Sequence, residues 1–225
     1  MDNAVMTAHF EQWIRAALDH PPKEPEWYWD EDFDSFWEPL GLSDAVTVSY
    51  LTLLLLEPKH LTPYSLPQVA QGIWFLIGGS SPSKACYALI DPDIALEERV
   101  DCVRAMADFF RNFVAPATAG IAKNDSDPFH VACFMWWDIL PFRPFRGHPL
   151  EGEPGVHNAC VNAMTEILDL PSEVCRMSAL HGLNHWQEHY TEQVGRVIDD
   201  FLRNTTGVAP CVREYAMQAR AGLCQ

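Results

Sequence analysis

Apolar residues in this chain recur mostly at three- and four-residue spacings, and period-two runs are scarce, a pattern that predicts helices through most of its length. The clearest stripe comes late. Val194, Val197, Ile198, Phe201 and Leu202 form an i, i+3, i+4, i+7, i+8 series, while Gln193, Arg196, Asp199, Asp200 and Arg203 face away. Pro210 suits a first helical turn, and Val212, Tyr215, Ala216 and Ala219 continue the spacing. Upstream, Pro171-Ser172-Glu173 supplies a stop, an N-cap and a first-turn acid. The same signals predict a helix over Thr7 to Asp19, closed by His20-Pro21-Pro22, and another from Ser43 as N-cap to Glu57. Further helices run from Leu66-Pro67 to Gly78-Gly79, from an Asp93 cap through Ile94 to about Ala115, and from Asp127-Pro128 to Pro141. One segment has a rival reading, because Val46, Val48 and Tyr50 alternate with Thr47, Ser49 and Leu51 as in a strand. Residues 21–42 and 141–155 are predicted as loops, the first acidic and aromatic, the second rich in Pro and Gly.

Helices starting near residues 156, 172, 191 and 209 give a period of about 17 to 19 residues per helix and turn, the cadence of paired-helix repeats. An internal echo accompanies it: Arg176-Met-Ser-Ala179-Leu180-His-Gly182 aligns with Arg213-Glu-Tyr-Ala216-Met217-Gln-Ala219 at an offset of 37 residues. Ala179 and Gly182 are small enough to let one helix lie close on its neighbour. The stretch Ser178-Ala-Leu-His-Gly-Leu-Asn-His-Trp186, followed by the amphipathic helix ending Ile198-Asp-Asp-Phe-Leu202, resembles the closing repeat of bacterial proteins with HEAT-like helical repeats. That resemblance implies a curved stack of antiparallel helix pairs serving as a binding surface without catalysis. Trp27 to Trp37 and Phe142 to Pro154 depart from a regular array. The expected fold is therefore all-α, an irregular HEAT-like stack (α-α superhelix) forming one domain over residues 1–225.

Composition narrows the partners. With 225 residues, 48% of them hydrophobic, and a mass of 25.5 kDa, the chain should expose roughly 10,000 Å² when folded and needs no disulfide or metal to support its core. The net charge is −16 and the basic residues are scattered, which argues against nucleic acid and anionic lipid. The most apolar run, Val46 to Leu56, is far shorter than the ~20 residues of a membrane span. Seven cysteines with no C-x-x-C pair fit reduced thiols, and MDNAVMTAHFEQW carries no secretory pattern, so a cytoplasmic location is expected.

Three clusters carry candidate chemistry. His181, His185 and His189 follow at i+4 steps, and with Glu188 would share one face of a continuous helix opposite Leu180, Leu183, Trp186 and Tyr190. A pair at i, i+4 can chelate zinc, whereas i to i+8 spans about 12 Å, too far for one ion. His185-Trp-Gln-Glu188-His189 also matches the H-x-x-E-H pattern of inverted zinc peptidases, the basis of an alternative reading as a zinc-dependent hydrolase. The plainer reading has His181 bonding an inter-helix turn, with His185 and His189 lining a solvated or groove-facing surface. Two H-x-x-C units, His130/Cys133 and His157/Cys160, would complete a structural zinc set if their helices were neighbours. Asp138, among apolar residues, is either the partner of Arg143 or Arg146 or an acid with a raised pKa, and of Trp136 and Trp137 one is expected in the core and one near a rim.

Glu24 to Glu38 holds seven carboxylates and no basic residue, interleaved with Trp27, Tyr28, Trp29, Phe33, Phe36 and Trp37. Its aromatics either fold inward as a clip with the acids left in solvent, or serve as anchors for a basic partner. The combined expectation is a protein-binding module with no catalysis, cofactor or metal. It would use Trp29, Asp30, Asp32, Asp34 and Trp37 on one rim, and His181, His185 and Glu188 on a groove.

Overall fold

A computed structural model describes residues 3–144 and 153–224, and every regular element among them is helical. In chain order the α-helices are α1 (Asn3–Leu18), α2 (Asp34–Trp37), α3 (Asp44–Leu56), α4 (Leu66–Ile77), α5 (Leu96–Phe109), α6 (Ala115–Ala117), α7 (Pro128–Met135), α8 (Pro154–Leu168), α9 (Glu173–Trp186), α10 (Thr191–Asn204) and α11 (Pro210–Arg220). The strand alternative for Val46 to Leu51 falls away: Ser43 accepts from Val46 N at 3.4 Å and caps α3. Asp127 caps α7 through Phe129 N and His130 N, and Ser172 caps α9 through Cys175 N.

Helix packing follows an alternating order. α1 lies on α4, α4 on α7, α7 on α9 and α9 on α11, while α3 lies on α5 and α5 on α8. Successive long helices thus switch between two rows, joined where α8 meets α9 and where α10 meets α11. One hydrophobic core runs from Phe10 to Ala219, and the chain exposes 10,906 Å². The 37-residue echo maps the first residue of α9, Glu173, onto the first of α11, Pro210, so Ala179 and Ala216, both fully buried, hold equivalent places. Leu180 is buried whereas Met217, its partner in the echo, is exposed.

Several boundaries differ from those expected. α5 starts at Leu96 rather than Ile94, because the Ile94 carbonyl accepts from the buried Arg99 Nε at 3.0 Å and Asp93 N bonds Asp91. The helix then widens into a π-turn over Phe110–Val114, which admits Pro116 where a tight α-turn would clash. α7 stops at Met135, six residues before Pro141, and a turn carries Trp136 to Asp138. Both tryptophans are consequently buried, Trp136 donating to Met106 Sδ and Trp137 lying on Gly182, so neither reaches a rim. Within residues 21–42 three short helical turns, Trp27–Trp29, α2 and Glu38–Leu40, interrupt otherwise irregular backbone. Of the 141–155 segment, residues 145–152 lie outside the described residues.

Candidate metal centre

The end of α7 and the middle of α9 create the site. Ser178 on α9 donates to the Cys133 carbonyl at 2.5 Å, fastening the C-terminus of α7 to α9. The turn after α7 is pinned from the other side, where Gly79 N donates to the Ile139 carbonyl at 2.7 Å. A Cβ on Gly79 would come within 2.8 Å of the Pro141 backbone, so only glycine admits this approach. Gly182 plays the corresponding part on α9, where a Cβ would fall 2.4 Å from Met164 Sδ and 2.7 Å from Trp137. With both contacts made, Asp138 projects toward His181 and His185.

These three side chains bring their ligating atoms within 4.8 Å of one another, the one such trio of His, Cys, Asp or Glu among the described residues. His185 Nε2 lies 3.3 Å from His181 Nε2 and 3.1 Å from Asp138 Oδ1, and Arg143 Nη1 lies 2.7 Å from the same oxygen. Asp138 Oδ1 is buried, yet neither N–H points at it, so it accepts no hydrogen bond despite both near neighbours. His181 Nδ1 is 2.8 Å from the Tyr215 hydroxyl on α11, and Phe134 stacks on the imidazole at 4.1 Å with Lys123 4.2 Å over the Phe134 ring. The site is mostly dry: side-chain exposure is 16% at Asp138, 24% at His185 and 22% at Arg143, and His181 is 4% exposed.

Burial sets the protonation. Desolvation, reinforced by the charges of His185, Lys123 and Arg143, depresses the His181 pKa to about 3. His185 is also lowered by burial, against the opposing pull of the Asp138 carboxylate. Both imidazoles are therefore neutral at pH 7. Burial also raises the Tyr215 pKa, keeping the phenol protonated. When both Nε2 atoms offer lone pairs, the His181 proton sits on Nδ1 and is donated to Tyr215, the orientation that outer-shell partners impose on metal-binding histidines.

The arrangement differs from the sequence reading at several residues. α9 ends at Trp186, so Gln187 to Tyr190 form a turn and the three histidines do not share one helical face. Glu188 is exposed on that turn, while His189 Nε2 is buried without a partner and stands outside the trio. The pair that converges is His181/His185, not His185/His189. His181 bonds a tyrosine rather than an inter-helix turn. Arg143 is the partner of Asp138 as expected, and Arg146 lies outside the described residues. The H-x-x-C units do not assemble: α7 packs on α4 and α9, α8 packs on α5 and α9, His130 Nδ1 accepts from Asn124 N, and His157 lies against Trp186 and Tyr190. Cys133 and Cys160 are buried thiols whose pKa burial drives up, which fits core residues.

On the acidic rim, Trp27, Tyr28, Phe33 and Trp37 surround Phe75, with ring centroids 4.7, 5.4, 5.6 and 4.6 Å from it. Trp37 thus faces inward and only Trp29, 52% exposed, presents a large aromatic surface; the Phe36 side chain lies outside what is described. Asp30 is paired with Lys23 at 2.6 Å, while Asp32 and Asp34 are exposed. No helix among the described residues is long and apolar enough to cross a membrane.

Comparisons with family models, with curated proteins and with solved structures return no match to this chain.

Proposed function

We propose that this chain binds a divalent transition-metal ion of the zinc class through Asp138, His181 and His185, the ion linking α9 to the turn after α7. The observation that carries this reading is the spacing of the ligand atoms. Bonds of 2.0–2.1 Å in a tetrahedral site require ligand atoms about 3.3–3.4 Å apart. One edge of the trio, 3.3 Å, has that length and a second, 3.1 Å, is about 0.2 Å short of it. The widest separation is at most 4.8 Å. A neutral histidine pair, a buried carboxylate oxygen that accepts no hydrogen bond, and a phenol behind one imidazole are the donor set and outer shell such an ion uses. The reading departs from the metal-free expectation drawn from sequence, and it moves the zinc ligands of the hydrolase alternative one helical turn toward the N-terminus.

Elemental analysis of tag-free protein dialysed against Zn²⁺ tests it. One ion per chain is expected, lost in Asp138→Asn and His185→Ala and kept in His189→Ala. Zinc that survives His185→Ala in folded protein overturns the assignment.

A second reading, that the helical stack docks a basic protein, has support in the exposure of Trp29, Asp32 and Asp34 within one acidic segment. The alternation of long helices between two rows, with α9 and α11 in register, favours a HEAT-like arrangement for that surface.

A further inference from the structure

Two segments far apart in sequence meet at α4 and leave a cleft beside it. Residues 22–26 form one wall, fastened where Gln71 Nε2 on α4 donates to the Lys23 carbonyl at 2.7 Å. The turn into α7 forms the second wall, held by the Asp127 cap and by His130 Nδ1, which accepts from Asn124 N at 3.0 Å. The cleft measures about 620 Å³, and Ala70, Trp74, Pro128 and Val131 belong to its apolar lining. Glu24 and Glu26 stand on the first wall and Asp125 on the second. Nearby cations are already engaged: Lys23 Nζ holds both Asp30 oxygens, at 2.6 and 2.7 Å, and Lys123 Nζ pairs with Asp125. Glu24 and Glu26 have no cation partner among the described residues, and Gln71 Oε1 is buried and accepts no hydrogen bond.

Carboxylates on two walls with an indole and aliphatic surface in the same cleft select a ligand of matching layout, cationic at its ends and apolar along its length. Ammonium groups donate to carboxylates and to an unsatisfied amide oxygen, the Trp74 ring favours a cation over its face, and methylenes leave water against the apolar lining. One metal ion does not fit this layout, because Glu24, Glu26 and Asp125 do not converge as Asp138, His181 and His185 do. A cleft of this size takes up a small molecule whole. We propose that it binds a linear aliphatic polyamine, with one ammonium group held by Glu24 and Glu26, another by Asp125, and the methylene chain lying along Trp74. The proposal is independent of the metal assignment and shares no residue with it.

Isothermal titration calorimetry of the full-length protein at low ionic strength tests it, with 1,4-diaminobutane and spermidine as ligands and n-butylamine and Mg²⁺ as comparisons. Saturable binding of one molecule per chain is expected for at least one of the two polyamines, about tenfold or more tighter than for n-butylamine, which has a single ammonium group, or for Mg²⁺, which has the charge without the chain. Glu24→Gln/Glu26→Gln should weaken polyamine binding about tenfold or more, and Asp125→Asn should bring it down to the affinity of n-butylamine. Asp32→Asn/Asp34→Asn removes the same charge outside the cleft and should leave binding unchanged. All these side chains but that of Glu26 are exposed and Glu26 is half-buried, so circular dichroism should show the variants folded. Absence of saturable heat with both polyamines overturns the proposal, as does n-butylamine or Mg²⁺ binding equally well. Equal weakening in the two double variants assigns the binding to overall charge and overturns the site, and an unchanged titration in Asp125→Asn overturns the two-ended geometry.

Discussion

Lowering the pH from 7 to 5 should destabilise this protein by way of one buried side chain, His181. In the unfolded chain a histidine titrates near 6.5, whereas in the fold His181 titrates at about 3. Between those values the unfolded state binds more protons than the native one, so stability rises with pH, is fully present above about 6.5 and drains away as the pH falls toward 3. From pH 7 to pH 5 the unfolded imidazole goes from mostly neutral to mostly charged while the folded one stays neutral, a difference of about 2 kcal/mol, roughly a third of it reached by pH 6. No solvent discount applies, since the residue is 4% exposed. The groups facing it, Tyr215, His185, Asp138, Arg143 and Lys123, are the same in wild type and in His181→Gln, so their own titrations largely cancel in a comparison. Urea unfolding of both proteins at pH 7, 6 and 5, followed by circular dichroism, gives the double difference. Wild type should lose about 2 kcal/mol more than His181→Gln over the interval. Parallel pH dependences would show that His181 accepts a proton in the native state, and the claim of a neutral imidazole pair would fall.

Other consequences can be checked directly. Gly182→Ala places a methyl group against Met164 and the fully buried Trp137; overpacking costs about 1–3 kcal/mol and better helix propensity returns about 1, so a net loss is expected in denaturant unfolding. Because Trp137 precedes Asp138, zinc affinity should fall in the same variant. Ser172→Ala removes the cap of α9 and the 2.7 Å bond to Thr118 inside the core, and should cost about 1–3 kcal/mol by the same assay. Thiol labelling of native protein, read by mass spectrometry, should modify Cys211 first and Cys224 more slowly, sparing the other five until unfolding, since burial raises the pKa of Cys86, Cys102, Cys133, Cys160 and Cys175. Asp32→Asn/Asp34→Asn should slow association with polylysine and flatten its salt dependence if the acidic rim docks cations; an unchanged on-rate removes that role.

The helical class, most caps and the late cadence were legible because they are local. Ser43, Asp127 and Ser172 act on N–H groups two or three residues away, and the stripe on α10 needs only its own periodicity. Helix ends set by distant contacts were not. Nothing near Met135 in the sequence announces that α7 stops there, because the stop depends on Ser178 holding the Cys133 carbonyl and Gly79 holding Ile139. Lys23, one residue outside the acidic segment, neutralises Asp30 only once the chain folds back.

The candidate metal centre is a product of those same distant contacts. His181 and His185 were visible as a chelating i, i+4 pair, but the choice between pairing with His189 and pairing with Asp138 is decided by where α7 and α9 end. Had α7 continued to Pro141, Asp138 would follow a helical course, and had α9 continued past Trp186, Glu188 and His189 would share the His185 face. Two early terminations instead face a carboxylate toward two imidazoles across a contact that glycine permits on both sides, at Gly79 and Gly182. The sequence signal for this arrangement is therefore not a ligand motif. It is the coincidence of an isolated acid within an apolar aromatic turn, an i, i+4 histidine pair on another helix, and glycines placed where their backbones must meet.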